Sequence, residues 1–445
     1  MKLRSNQIEP VNKGVEFFNS KDAKPSIIVA PTAFGKSVVI ASIADRIQDK
    51  VIVLQPSKEL LEQNYNKYIN LGGEANIFSA SMNTKEIGNV TYATIGSIVK
   101  ASKKVKELGI KKIIIDECDR FPREPSGMLR KFLNAINASH ILGLTATPLK
   151  LQTNRDLDGN NFSKLVMLTN RSSKGNFFKD IIYVAQIKEI LELKYWTPIV
   201  YESVKFDTDF LLFNTSKSDY TEDSINYAYR VSNVEQTIID KVSSLTDRKS
   251  ILIAVPSIQE AESLSKKIPG SAVLHSKLNK VDRDYIVDNF KSGNIKVVVQ
   301  VNILTVGFDY PELDCLICAR PTSSLSWWYQ FVGRGTRIHP DKKDVLVIDL
   351  VGSLERFGKV EDLVYKQDDK GRWELYGKKE QKLTSVPIHE FSMESTSDEV
   401  IMTFGKYKGI PISRMPKRYI NWLLENVSWS EEQMELRNNL INIIE

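Results

Sequence analysis

The stretch Ala30-Pro-Thr-Ala-Phe-Gly-Lys-Ser37 follows the apolar run Ser26-Ile-Ile-Val29 and leads into Val38-Val-Ile-Ala-Ser-Ile-Ala-Asp-Arg-Ile47. A strand that runs into a Gly-Lys-Ser turn and then a helix is the setting a phosphate-binding loop requires. Backbone N–H groups of Pro31–Gly35 (Thr32, Ala33, Phe34 and Gly35, proline having none) and the positive end of the helix would hold phosphate oxygens. Lys36 would neutralise the outer phosphates, and the Ser37 hydroxyl would ligate Mg2+. Ala30 stands where the general pattern has glycine, and a plain strand-to-helix turn is the alternative reading. A second chemical feature, Asp116-Glu-Cys-Asp119, ends the apolar run Ile113-Ile-Ile115. A carboxylate there, Asp116, can hold Mg2+, and its neighbour Glu117 can orient or deprotonate a water. Acidic strand ends are also commonly structural; the pairing with Lys36 is what makes this one specific.

The elements that must position these residues can be read from the alternation of short apolar runs with longer helical patterns. Residues 26–30, 51–56, 111–117 and 141–146 each end where a turn or helix begins, the pattern of a parallel sheet with crossover helices. After an irregular stretch the pattern repeats at 251–256, 272–276, 296–302, 313–320 and 345–350. The expected fold is α/β, with two tandem parallel-sheet domains at residues 1–205 and 206–355, followed by a hairpin, linker and small accessory module over 356–445. The polar stretch 154–165 reads as a loop of the first domain, and 360–380 as a hairpin turning at Asp369-Lys-Gly371.

Composition narrows the class. A chain of 445 residues, 42% hydrophobic, can build two cores, since single cores stop growing beyond about 250–300 residues. No apolar run of about 20 residues occurs and the first ten residues lack a signal-peptide core, so a cytoplasmic protein is expected. Cys118, Cys315 and Cys318 are too few for a disulfide framework, and the Cys315/Cys318 pair lies in what reads as a buried strand. The histidines His140, His275, His339 and His389 do not cluster. A net charge of +6 is too modest to assign a nucleic-acid partner by itself. Two lysine-rich stretches, 100–112 and 406–418, read equally as solvated faces.

Taken in order, these motifs resemble those of superfamily 2 helicases, whose domains are RecA-like, over about residues 4–349. The resemblance makes Gln7 the adenine-reading glutamine, with Arg4 beside it, and makes ATP and Mg2+ the expected cofactors. Gln55-Pro56-Ser57-Lys58-Glu-Leu60 and Thr94-Ile-Gly96-Ser97 are similar to segments that grip a nucleic-acid backbone, as is Ser257 in Val255-Pro-Ser257. Thr145-Ala-Thr147, with Asp119, resembles the element coupling hydrolysis to domain movement. Thr305-Val-Gly307-Phe-Asp309 resembles the segment touching both strand and nucleotide, Thr305 facing the strand. Gln330-Phe-Val-Gly-Arg334-Gly-Thr-Arg337 resembles the arginine-finger helix. Arginines brought from a second domain stabilise transition-state charge only when the cleft closes. Taken singly, Thr145–Thr147 also reads as a buried strand end, and Arg334 with Arg337 as surface ion pairs.

Within the superfamily, Cys118 and Gln330 depart from the DEAD-box pattern, and only six residues precede Gln7, leaving no room for an upstream aromatic. The sequence is closer in style to restriction-system translocases and phage branch-migration helicases of the UvsW type. That implies forked or Holliday-type DNA as partner, in phage recombination, replication or repair, with backbone contacts dominating over base readout. The alternatives are a translocase that remodels protein on duplex DNA without unwinding it, and a binding module with a degenerate nucleotide site, motivated by Ala30 and Ala33. Strand separation needs a wedge. Phe121, Trp373 and Tyr407 are the candidates, each with packing as its other reading.

Overall fold

The computed structural model describes residues 3–121, 127–156, 159–170, 177–301, 310–391, 400, 402–405, 407, 412, 415, 417–430 and 433–444. In chain order the first strands are Ser26–Val29 (β1), Val51–Gln55 (β2), Asn76–Ser79 (β3), Thr84–Lys85 (β4), Val90–Thr94 (β5), Lys112–Asp116 (β6) and His140–Thr145 (β7). Leu149–Arg155 (β8), Asn161–Met167 (β9) and Asp180–Val184 (β10) follow. The first sheet has the order β10-β1-β7-β6-β2-β5-β3-β4, parallel except for the β3–β4 pair. β1 and β2 are buried along their whole length, as expected when helices cover both faces of a parallel sheet.

The second sheet is built from Ile199–Ser203 (β11), Ile251–Ala254 (β12), Ala272–His275 (β13), Val297–Val301 (β14), Cys315–Cys318 (β15) and Val345–Asp349 (β16). Its order is β11-β16-β15-β12-β14-β13, all parallel. β11 corrects the expected boundary at residue 205. Its five residues pair with β16, so the chain leaves the first sheet after Val184 and joins the second at Ile199. Residues 154–155 and 161–165 of the expected loop lie in strands, because β8 and β9 pair antiparallel from Leu149–Met167 to Arg155–Asn161. Cys315 and Cys318 lie in a fully buried strand, where a spacing of three sends their side chains to opposite faces.

The hairpin expected around residues 369–371 is Val364–Gln367 (β17) with Trp373–Tyr376 (β18). The chain beyond it returns to the first domain: Ser385 N–H donates to Leu165 O at 2.6 Å, and Pro387 bridges to Lys164. In the terminal module, helices Lys417–Asn426 and Met434–Ile444 pack together with Ile420, Leu423, Leu436 and Leu440 buried. No helix among the described residues is long and apolar enough to cross a membrane.

Candidate active site between the two sheets

The strand register gathers the chemistry on one edge. Val29 lies beside Thr145, Asp116 beside Leu144, and Gln55 beside Thr94, so the loops after β1, β6, β7, β2 and β5 all open at the carboxyl end of the first sheet. That edge is where open α/β sheets bind ligands. Pro31–Gly35 turn there, with Gly35 at φ 94° serving as N-cap of helix Lys36–Arg46. Ala33 takes a positive φ of 62° without the freedom of glycine. Ala30 does not, so the loop does not need glycine at that place.

Pro31, Thr32, Ala33, Gly35, Lys36 and Ser37 line a cleft of about 620 Å3 together with Arg4, Gln7, Asp116, Glu117 and Arg120. From the second domain Gln330, Arg334, Arg337 and Ile338 line the same cleft. Lys36 Nζ is 3.1 Å from Glu117 Oε1. Glu117 has φ 45°, a left-handed conformation costly for a side-chain-bearing residue, and its backbone N–H donates to Asp116 Oδ1 at 2.9 Å. Burial works against both carboxylates. At Glu117 the charges of Lys36, Arg120 and Arg334 outweigh it and hold the group below its usual range. At Asp116 burial, reinforced by the negative charge of Glu117, raises the group, against the pull of Lys36 and the Asn64 amide. The Arg334 effect on Glu117 shows that the second domain reaches the acidic pair.

Asn64 is the functional residue that motif reading missed. Ser37 Oγ donates to Asn64 Oδ1 at 2.5 Å, and Asn64 Nδ2 donates to Asp116 Oδ2 at 2.8 Å and to Gln55 Oε1 at 3.0 Å. The hydroxyl of Ser37 spends its proton on Asn64, which leaves its lone pairs for a cation, while Asp116 is fixed from the other side. A hard cation suits this hydroxyl-and-carboxylate pair, so Ser37 and Asp116 fit Mg2+. The signal was present in helix Lys58–Asn70, whose buried face is Leu61, Asn64 and Tyr68: an amide on an apolar stripe.

Other expected residues fall into place unevenly. Thr145 Oγ1 donates to Asp119 Oδ1 at 2.5 Å, and Thr147 Oγ1 lies 3.5 Å from Asp119 Oδ2, so these three assemble behind the acidic pair. Ser57 and Ser257 both N-cap the helix after a strand, accepting from Leu60 N–H and Glu260 N–H. Thr94 Oγ1 donates to Ser97 Oγ at 3.0 Å, next to Gly96. Gln7 is 3% exposed; its Nε2 donates to Phe34 O at 2.9 Å and its Oε1 accepts from Arg4 N–H at 3.0 Å. Its amide therefore ties the first helix to the phosphate loop. Thr305, Gly307 and Asp309 lie outside the described residues.

The wedge candidates are corrected by burial. Phe121 is 5% exposed and Tyr407 9%, the latter packed against Tyr419 at 4.7 Å between ring centroids. Trp373 packs against the core and is half-buried, so Phe121 and Tyr407 present no free face in this conformation and Trp373 only part of one. In the lysine stretch at 100–112, Lys103, Lys104 and Lys106 are exposed, whereas Lys112 is committed to Asp49 at 2.7 Å.

Comparison with known proteins agrees with this geometry. The family model for the res subunit of type III restriction enzymes matches residues 1–150, and that for the helicase conserved C-terminal domain matches residues 232–339. One match thus falls in each of the two parallel-sheet domains, and the second is to a helicase model. It is 24% identical over 404 residues to a 51.5 kDa protein of Lactococcus phage (isolate 7-9), covering 84% of this chain and 80% of that one. It is 24% identical over 275 residues to the Saccharomyces cerevisiae protein IRC3, a helicase by name, spanning 60% of this chain and 38% of the yeast protein. The ATP-dependent DNA helicase Hel308 of Pyrococcus horikoshii is 22% identical over 311 residues, 66% of this chain and 42% of that one. Among solved structures, a type I restriction HsdR fragment from Vibrio vulnificus YJ016 shares the fold with a TM-score of 0.57 at 19% identity, covering 79% of this chain and 64% of that one. The helicase families that these comparisons name imply ATP as nucleotide, typically with Mg2+.

Proposed function

We propose that the protein is an ATP-driven motor that moves on DNA and processes forked or Holliday-type junctions. The observation that carries the reading is the meeting of Lys36, Glu117, Arg334 and Arg337 in one cleft formed by both domains. An arriving triphosphate draws Lys36 from Glu117 onto the phosphates, leaving the Glu117 carboxylate to orient and deprotonate the attacking water. Ser37 and Asp116 would hold Mg2+, which supplies charge neutralisation at the phosphates. Arg334 and Arg337 complete the charge complement only when the domains are together, so hydrolysis and release are felt as domain motion. Ser57, Thr94, Ser97 and Ser257 sit where backbone contacts to a strand would be made, which favours weak sequence preference. DNA is supported as the track by likeness to Hel308 and to the DNA-bound restriction–modification enzyme LlaBIII.

A second reading, translocation on duplex DNA without unwinding, is favoured by one observation: Phe121 and Tyr407 are buried in the fold and Trp373 is half-buried against it. The test is ATP hydrolysis with no nucleic acid, linear duplex, single strand, RNA and a four-way DNA junction, with Lys36→Ala as control. Greatest stimulation by the junction, lost in the mutant, is expected. Stimulation by RNA alone, or no turnover, overturns the motor reading, and flat strand displacement with duplex-stimulated hydrolysis selects the second one.

A further inference from the structure

The segment joining the two sheets places three consecutive side chains on three different parts of the cleft. Helix Ile187–Glu192 ends in Lys194 at φ 56°, and Tyr195 N–H donates to Ile190 O at 2.9 Å, so the segment leaves a fixed point. Tyr195 lines the cleft beside Arg4 and Gln7. Its hydroxyl is 3.0 Å from Ser5 Oγ, and the Arg4 guanidinium lies 5.3 Å from the centre of its ring. Trp196, 2% exposed, donates its indole N–H to the carbonyl of Thr32 in the phosphate loop at 3.0 Å. Thr197, also buried, donates its backbone N–H to Thr336 O at 2.9 Å and its hydroxyl to Arg337 O at 2.8 Å.

We propose that Tyr195-Trp196-Thr197 is a relay between the nucleotide base and the arginine motif. Resting on the ATPase reading above, it assigns Tyr195 as the wall against which the base stacks, and Trp196 and Thr197 as positioning residues. With the Gln7 amide used on both sides by the chain, Tyr195 is the aromatic residue among the described residues that line the cleft, and it lies at the Arg4 and Gln7 end. Coupling between two sites requires an element with contacts to both. Here the element is one tripeptide, bent at Trp196, whose neighbouring α-carbons are about 3.8 Å apart. A displacement of the ring at the base cannot be absorbed by a flexible loop before it reaches Thr336 and Arg337. The indole N–H and threonine hydroxyl are donors at buried residues, so in this conformation the separation of phosphate loop and arginine motif is set by hydrogen bonds as well as by packing.

The test compares the full chain with Tyr195→Ala, Tyr195→Phe, Trp196→Phe, Thr197→Val and Thr197→Ser. It measures DNA-stimulated ATP hydrolysis and equilibrium binding of a fluorescent methylanthraniloyl-ADP, with thermal unfolding to confirm folding. Thr197→Val is expected to lower kcat on the order of tenfold at little changed KM and ADP affinity, with Thr197→Ser recovering most of the loss. Trp196→Phe, which keeps the ring and removes the donor, is expected to act in the same direction. Tyr195→Ala is expected to weaken ADP binding about tenfold, and Tyr195→Phe to restore it. Wild-type kcat in Thr197→Val, or wild-type ADP affinity in Tyr195→Ala, overturns the relay. Absence of hydrolysis by the wild-type chain overturns the motor reading instead, and the ADP titration still decides the role of Tyr195.

Discussion

A carbon added to Gly333 would lie 2.8 Å from the Cβ of Thr32. The arginine-bearing helix Leu325–Arg334 thus meets the phosphate loop through a residue with no side chain, and the contact is made by atoms too close to the backbone to swing aside. Gly333→Ala is expected to push the helix back by a few tenths of an ångström and to lower kcat for ATP hydrolysis on the order of tenfold. Fluorescent-ADP binding should persist, because the loop itself is intact. A wild-type kcat in this variant would show that the close approach is dispensable.

Asn64→Ala removes the bridge between Ser37 and Asp116. Its loss strips a donor from a buried carboxylate and from Gln55, which costs about 1–3 kcal/mol of stability. The Mg2+ concentration needed for half-maximal hydrolysis should rise, since Ser37 then loses its acceptor and Asp116 keeps only the Glu117 N–H. Denaturant unfolding and a Mg2+ titration check the two effects, and an unchanged Mg2+ requirement would reduce Asn64 to a packing role.

Thr145→Val leaves the shape of the strand end but removes the hydrogen bond to Asp119. If this bond carries motion from the acidic pair, DNA-stimulated hydrolysis should stay within about threefold of wild type while displacement of a bound third DNA strand falls about tenfold or more. Equal losses in both assays would place Thr145 in hydrolysis rather than in coupling.

His389 lies between the returning chain and the second domain, with burial first, then Lys217 and Arg356, pulling its pKa down to about 4. The folded state therefore refuses a proton that the unfolded chain accepts near 6.5. Stability should fall as pH drops from about 6.5 towards 4, and His389→Gln should flatten that part of the profile. Thermal unfolding at pH 7, 6 and 5 measures it. A slope that survives the substitution assigns the acid sensitivity to other groups.

The strands β1, β2, β6, β7 and β12 to β16 and the arginine motif were legible because each has a local signature: an apolar run ending at Asp116, a glycine before Lys36, two arginines three apart on a helix end. Assembly of Thr145, Thr147 and Asp119 followed from strand register, which parallel pairing fixes. β11 was not legible, since Ile199–Ser203 is half-exposed at a sheet edge and carries too few apolar residues to stand out. Asn64 and Trp196 were missed for a different reason. Each acts through hydrogen bonds to residues at least nine positions away in sequence, and no short pattern records such a bond. For the wedge candidates aromatic residue type left a wedge and packing both open, and Phe121 and Tyr407 take the packed position.

The chain passes from first sheet to second through residues 185–198 and comes back at 364–387, and the two passages run side by side. Gln186 Nε2 donates to Tyr365 O at 2.6 Å while Gln186 Oε1 accepts from Tyr365 N–H at 3.2 Å, and Tyr201 ties the start of the return, Val360 and Glu361, to the second sheet. One crossing would act as a string, free to twist in any sense. Two crossings clasped to each other at Gln186 and Tyr365 narrow the directions in which the lobes can move. A chain cut after the second sheet would keep every nucleotide contact described and lose the restriction on direction.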